Sequence, residues 1–259
     1  MDCRQIMMAM VLSAGYGTRL GELTKEIPKP MLLVNGKPML EYILLHLKHH
    51  GVIEIIINLH FMPDLITSYF GNGSRLGLHI HYSFEDTLLG TAGGLKKVER
   101  LFKDKGPFLV HYGDILTNQD FSEMLQFHGE KKAVITMLVH QRRHSNSVVQ
   151  FDESHRINRF LERPSDKERA HITSSWVNSG ICICEQAVFN LIPSESSQDL
   201  PRDIFAKHHK EIPIFAFPLN GFRCAVDSPD RLKQANEAFK TGLLQQYEDI
   251  LSTPLIKSI

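Results

Sequence analysis

The chain has 259 residues, 42% of them hydrophobic and 22% charged, with 29 basic side chains balanced by 29 acidic ones. That composition suits a folded globular protein and argues against a disordered one, and with a formal net charge of zero no basic excess points to nucleic acid or an anionic membrane. No apolar run reaches the ~20 residues a membrane helix needs, and no targeting signal is recognisable, which predicts a cytoplasmic protein.

Apolar runs alternate with longer amphipathic stretches. Residues 7–12 predict a buried first strand rather than the core of a signal peptide, because GYGTRL follows at once. A helix is predicted over 39–50, where Leu40, Ile43, Leu44 and Leu47 recur at helical spacing. Strand 53–59, helix 62–70, strand 79–82, helix 94–102, strand 108–112 and helix 121–131 follow. Such alternation builds a mainly parallel sheet covered by helices. Strands over 133–139, 147–151, 157–160, 179–184 and 213–218 have fewer helices between them (185–192, 200–209 and 228–241), so antiparallel additions are expected. No linker composition and no repeat divides the chain. One domain over 1–259 is predicted, with a core over 6–240 and a helical tail over 241–259. The four cysteines form no C-x-x-C pair, and the fourteen histidines lack the i, i+4 spacing of a zinc pair.

The stretch VLSAGYGTRL (residues 11–20) follows the first predicted strand. It is not a dinucleotide fingerprint, whose third glycine would stand where Leu20 is. Nor is it a Walker loop, because Gly36–Lys37 is followed by Pro38. A bare G-x-G also serves as a tight turn. Here Gly15 and Gly17 let backbone N–H groups approach an anion, Thr18 adds a hydroxyl, and Arg19 adds a forked cation. In IPKPM (residues 27–31) prolines restrict the backbone on both sides of Lys29, presenting an ammonium on a stiff support. Asp114 ends an apolar strand, where a carboxylate is either a turn cap or a metal ligand. Asp227 precedes a predicted helix, where it could cap, and Asp230 reads as an ordinary helix-start acid.

GYGTRL, PKPM and NGKPMLEY, followed in order by LLGTAGGL, YGD, RFLERP, VNSGI and FRCAVDSPDRL, closely resemble the sugar-phosphate nucleotidylyltransferases. The resemblance runs from about residue 6 to 240. It implies an α/β, Rossmann-like three-layer sandwich with a mixed, mainly parallel central sheet. It also implies attack of a sugar-1-phosphate oxygen on the α-phosphorus of an NTP, with release of pyrophosphate.

By resemblance, Arg19 holds the β- and γ-phosphates, Lys29 stands beside the reacting phosphates, and Asp114 and Asp227 ligate Mg²⁺. The nucleotide is expected against Leu12, Ala14, Gly15, Gly17, Thr18, Glu85, Gly90 and Thr91. Glu85 matches a position contacting the base edge. A carboxylate only accepts, which leans toward guanine and hence GTP with mannose- or heptose-1-phosphate, uridylyl and thymidylyl types coming next. The sugar phosphate is expected against Glu162, Arg163, Asn178 and Gly180. Arg163 replaces the usual lysine, and Asn146–Ser147 replace a residue pair ending in glycine, which puts a standard sugar pose in doubt. Trp176 stacks on a sugar or packs in the core. Substrates are therefore an NTP and a sugar-1-phosphate. Homo-oligomer formation stays open, since relatives range from monomers to tetramers. The alternatives are a non-catalytic regulator binding an NDP-sugar and a phosphocholine cytidylyltransferase.

Overall fold

The structure is a computed structural model that describes residues 8–143, 145–169, 172, 174–194, 197–244 and 247. Most of the tail expected over 241–259 lies outside the described residues, as do Cys3 and Met7.

Seven strands form the central sheet: β1 (Met8–Leu12), β2 (Glu54–Leu59), β3 (His79–Phe84), β4 (Phe108–Tyr112), β5 (Ile135–Gln141), β6 (Trp176–Cys184) and β7 (Ile214–Pro218). Their order is β7-β5-β6-β4-β1-β2-β3, a mixed, mainly parallel arrangement. The chain divides into two compact units. Of the described residues, the first holds those of 8–87, His111–Asp120 and 220–247, and the second those of Leu88–Val110 and Phe121–Leu219.

In the first unit, β1 pairs in parallel with β2, from Met8 against Glu54 to Leu12 against Asn58, and β2 pairs in parallel with β3. Parallel strands are covered on both faces, which is why β1 reads MAMVL, apolar throughout. The helix Met39–His49 buries the expected Leu40, Ile43, Leu44 and Leu47, and buries Glu41 as well. Burial alone would raise the Glu41 pKa. Hydrogen bonds from Arg75 (3.0 Å) and Tyr69 (2.8 Å), with Lys37 at 3.3 Å, outweigh it and hold the carboxyl below its ordinary value. Two short antiparallel pairs, Leu33–Val34 with Lys37–Pro38 and Ile115–Thr117 with Arg223–Ala225, escaped the sequence reading. Strands this short carry no periodic signal.

In the second unit, β5 pairs antiparallel with β6 and parallel with β7, so the antiparallel addition expected for this half is present. A bulge interrupts β6 between Asn178 and Cys182. Strands Ser147–Phe151 and Ile157–Glu162 form a separate antiparallel pair. Trp176 is half-buried, its ring 5.5 Å from that of Phe151. The helix expected over 94–102 starts earlier and breaks in two, Gly90–Lys97 and Glu99–Phe102. Its glycine-rich first turn is held by tertiary bonds, such as Ala92 N–H to the Gln198 carbonyl at 2.8 Å, which propensity does not register. The helix expected over 200–209 opens as a π-helical turn, Leu200–Phe205.

Candidate active site

The glycine loop follows β1 in the first unit, at the carboxyl end of a parallel strand, where open α/β sheets bind ligands. Leu12 and Ala14 are largely covered, whereas Gly15, Thr18 and Arg19 are exposed. Gly17 sits at φ 69°, and a Cβ there would meet Lys29 Cβ at 3.0 Å, so the loop and the proline-flanked lysine interlock. Only glycine takes that conformation without strain. Thr24 Oγ1 donates to the Gly17 carbonyl at 3.1 Å, closing the short 3₁₀ segment Thr18–Thr24.

The four predicted charged residues converge in this unit as two cation–carboxylate pairs. Arg19 Nη1 donates to Asp227 Oδ2 at 2.9 Å, and Lys29 Nζ pairs with Asp114 Oδ2. Lys29 stands on the 3₁₀ turn Lys29–Met31, which begins after Pro28 in extended backbone, and its side chain is only 11% exposed. The Val226 N–H donates to the Asp114 carbonyl at 2.8 Å, so backbone pairing brings the segments carrying Asp114 and Asp227 together. Asp227 is not the cap of the helix Pro229–Lys240; Ser228 is, with its side chain accepting from Arg231 N–H. Asp230 lies in the first turn. Among the described residues no group of three or more His, Cys, Asp or Glu could hold a metal.

Glu85 is buried, 4% exposed, and its Oε1 accepts from Asn58 Nδ2 at 2.7 Å. Asn58 Oδ1 in turn accepts from Ser13 N–H at 2.8 Å. Asn58 had no role in the sequence reading. Its signal was a polar residue at the carboxyl end of an otherwise apolar strand, EIIINL.

Two predicted groups lie in the second unit. Gly90, at φ 72°, begins the helix Gly90–Lys97, and a Cβ there would fall on the Gln198 carbonyl. Thr91 receives Leu200 N–H on its hydroxyl at 2.7 Å, and its N–H lies 3.3 Å from Asp199 Oδ1. Gly90 and Thr91 thus anchor residues 198–200. Near them in electrostatic terms stands Glu162, the last residue of the strand Ile157–Glu162. Burial pushes its carboxyl up to about 7; Arg163 pulls it down, Asp199 raises it further, and Arg202 opposes. Arg163 Nε is 4.0 Å from Glu162 Oε1, on a side chain 75% exposed and a backbone at φ 51°. The Arg163 N–H bonds to the Asn146 carbonyl. Asn178 and Gly180 occupy the bulge in β6, where Asn178 Oδ1 accepts from Gly180 N–H at 2.9 Å. Ser147 Oγ accepts from Asn178 N–H at 3.0 Å, so the residue standing in place of a glycine pins that bulge. Asp199 and Arg202 had no signal in the sequence, because only folding brings them to Glu162.

Residues 8–222 match the family model described as nucleotidyl transferase, and the chain belongs to that family. Its relatives are sugar-phosphate nucleotidylyltransferases. The UTP–glucose-1-phosphate uridylyltransferase of Synechocystis sp. is 37% identical over 217 residues, which cover 78% of this chain and 55% of the relative. The mannose-1-phosphate guanyltransferase beta-B of Xenopus laevis is 32% identical over 249 residues, covering 94% and 66%. The chain therefore spans roughly half to two thirds of the length of these relatives. Among solved structures, HddC from Yersinia pseudotuberculosis superposes with a TM-score of 0.75 at 22% identity, covering 90% of this chain and all of that one. A UDP-glucose pyrophosphorylase bound to UDP-glucose gives 0.78 at 19%, covering 92% and 99%. These two likenesses establish the fold, a Rossmann-like α/β sheet.

Proposed function

We propose that this chain is a single nucleotidyltransferase domain that transfers a nucleoside monophosphate from an NTP to a sugar-1-phosphate. The observation that carries this reading is the convergence of Arg19 and Lys29 from the N-terminal stretch with the remote Asp114 and Asp227 into two ion pairs beside a glycine loop. In the free protein each cation is neutralised by a carboxylate. A triphosphate, with several charges, competes for both cations, and the loop N–H groups give its oxygens further donors. Arg19 would bind the β- and γ-phosphates and stabilise the charge that collects on the leaving pyrophosphate. Lys29 would lie against the reacting phosphate. The sugar-phosphate oxygen forms the new bond to the α-phosphorus as the bond from that phosphorus to the bridging oxygen breaks.

Asp114 and Asp227 fit Mg²⁺: both offer hard carboxylate oxygens, and Mg²⁺ bound to substrate phosphates needs only one or two protein carboxylates. When bound, it would neutralise charge on the triphosphate. Glu162 and Asn178 are the groups for sugar hydroxyls, with Arg163 for the sugar phosphate. Glu85 supports a lean toward GTP and mannose- or heptose-1-phosphate. Its Oε1 already accepts from Asn58, so any base contact uses the carboxylate's remaining acceptor capacity.

The test is pyrophosphate release from a panel of GTP, UTP, dTTP, CTP and ATP against mannose-, glucose- and heptose-1-phosphate, plus phosphocholine, with and without Mg²⁺. Turnover with a sugar-1-phosphate that needs Mg²⁺ is expected. Tight binding of an NDP-sugar with no turnover on any pair would replace the enzyme by a regulator, and turnover on CTP with phosphocholine alone would replace the substrate class.

A further inference from the structure

The tip of the glycine loop carries Tyr16, which is 45% exposed and would ordinarily be read as a surface aromatic. Its hydroxyl lies 2.7 Å from His60 Nε2, and its ring stands edge-on to both His60 (5.2 Å) and Phe61 (5.4 Å). The other ring nitrogen of His60, Nδ1, lies 2.7 Å from the Glu85 backbone carbonyl. A carbonyl can only accept, so Nδ1 carries the proton. In the neutral ring Nε2 is then an acceptor, and the Tyr16 hydroxyl donates to it. The same Glu85 takes Asn58 Nδ2 on its carboxylate, and Asn58 takes Ser13 N–H. These bonds close a circuit that grips the loop at Ser13 and at Tyr16 and ties both points to the ends of β2 and β3. Between the grips lie Ala14, which is buried, and Gly15, where an added Cβ would meet nothing within 4 Å.

We propose that His60 and Tyr16 are positioning residues that clamp the Ser13–Gly17 loop in the conformation that receives the NTP phosphates. The loop's donors are backbone N–H groups, and those bind an anion well only if their directions are fixed beforehand. Two grips, at Ser13 and at Tyr16, supply that order while Gly15 between them adds no side chain to the loop. The second half of this statement rests on the nucleotidyltransferase reading; the clamp itself does not.

The experiment compares wild type with Tyr16→Phe, which keeps the ring and deletes one hydroxyl, and with His60→Ala. Amide hydrogen exchange is read on the free protein, and steady-state kinetics on the substrate pair that turns over. Faster exchange is expected at Gly15, Tyr16 and Gly17, with Ser13 N–H still protected by Asn58. KM for the NTP should rise about fivefold, the worth of one hydrogen bond, while kcat and KM for the sugar-1-phosphate stay within about twofold. Unchanged loop exchange in both variants overturns the clamp, whatever the kinetics show. Faster exchange with an unchanged KM for the NTP overturns its role in nucleotide binding. If wild type turns over no pair, the enzyme reading falls, and the exchange comparison still decides the clamp.

Discussion

The phosphate-loop charges of the first unit and the Glu162 region of the second are built on opposite electrostatic plans. Around the loop every predicted cation has a carboxylate against it, Arg19 with Asp227 and Lys29 with Asp114. Among the described residues Glu162 has no such close partner: Arg163 is 4.0 Å away on an exposed side chain, Asp199 adds like charge, and burial lifts the carboxyl to about 7. Under the proposed function, the loop would receive a polyanion, and the carboxylates would compensate its cations until that ligand arrives. Under the proposed function, the Glu162 region would receive neutral hydroxyls, which call for an acceptor more than a compensated charge.

The largest effect should come from breaking the compensated side. Asp114→Asn deletes a carboxylate and leaves Lys29 without its counter-charge, and kcat is expected to fall by ~10²–10³, as for loss of one preorganised electrostatic group. Folding should suffer far less, since the carboxamide can still accept from Lys29; melting should move by only about 5 °C. Unchanged kcat at saturating Mg²⁺ would remove Asp114 from the reaction. Arg19→Ala comes next, costing ~3 kcal/mol in kcat/KM with little effect on melting, because the Arg19 side chain is 67% exposed.

On the uncompensated side the handle is pH. The Glu162 carboxyl, with its pKa raised to about 7, is ionised above that value and protonated below it. If the carboxylate is the hydroxyl acceptor, KM for the sugar-1-phosphate should climb on acidification below pH 7, approaching about tenfold per pH unit. Glu162→Gln should flatten that profile, and because it faces the same ionisation of the substrate, it isolates this group. For folding the sign is reversed from the usual carboxylate. The folded state binds the Glu162 proton more tightly than the unfolded chain, so this group adds stability as pH falls from about 7 toward its ordinary 4.5. The smallest expected effect is Ser147→Gly, which removes the acceptor for Asn178 N–H; KM for the sugar-1-phosphate should rise about threefold with NTP kinetics unchanged. No change there would make Ser147 a bystander.

The long strands and the helix Met39–His49 were legible because periodicity records which face is buried. β4 was bounded correctly, and the parallel pairing of β1, β2 and β3 follows from strand–helix alternation. The Gly90 helix was misplaced because three glycines argue against helix, whereas the carbonyl of Gln198 holds its first turn. Among the site residues, Arg19 and Lys29 were visible through their local chemistry: glycines, prolines and a lone cation in each. Asp227 read locally as a capping candidate and by resemblance as a metal ligand; the cap is Ser228. His60 and Asn58 were passed over, although a polar residue closing an apolar strand is where such sheets place function.

What the sequence determined by itself was the list of groups and the kind of scaffold that carries them, since both are written in local patterns a few residues long. What the tertiary structure decided was who neutralises whom. That Lys29 meets Asp114, that Asp199 faces Glu162, and that Tyr16 leans on His60 are all consequences of pairing between remote segments. Charge and hydrogen bonding act over a few ångströms in space, a distance that residue numbers do not measure.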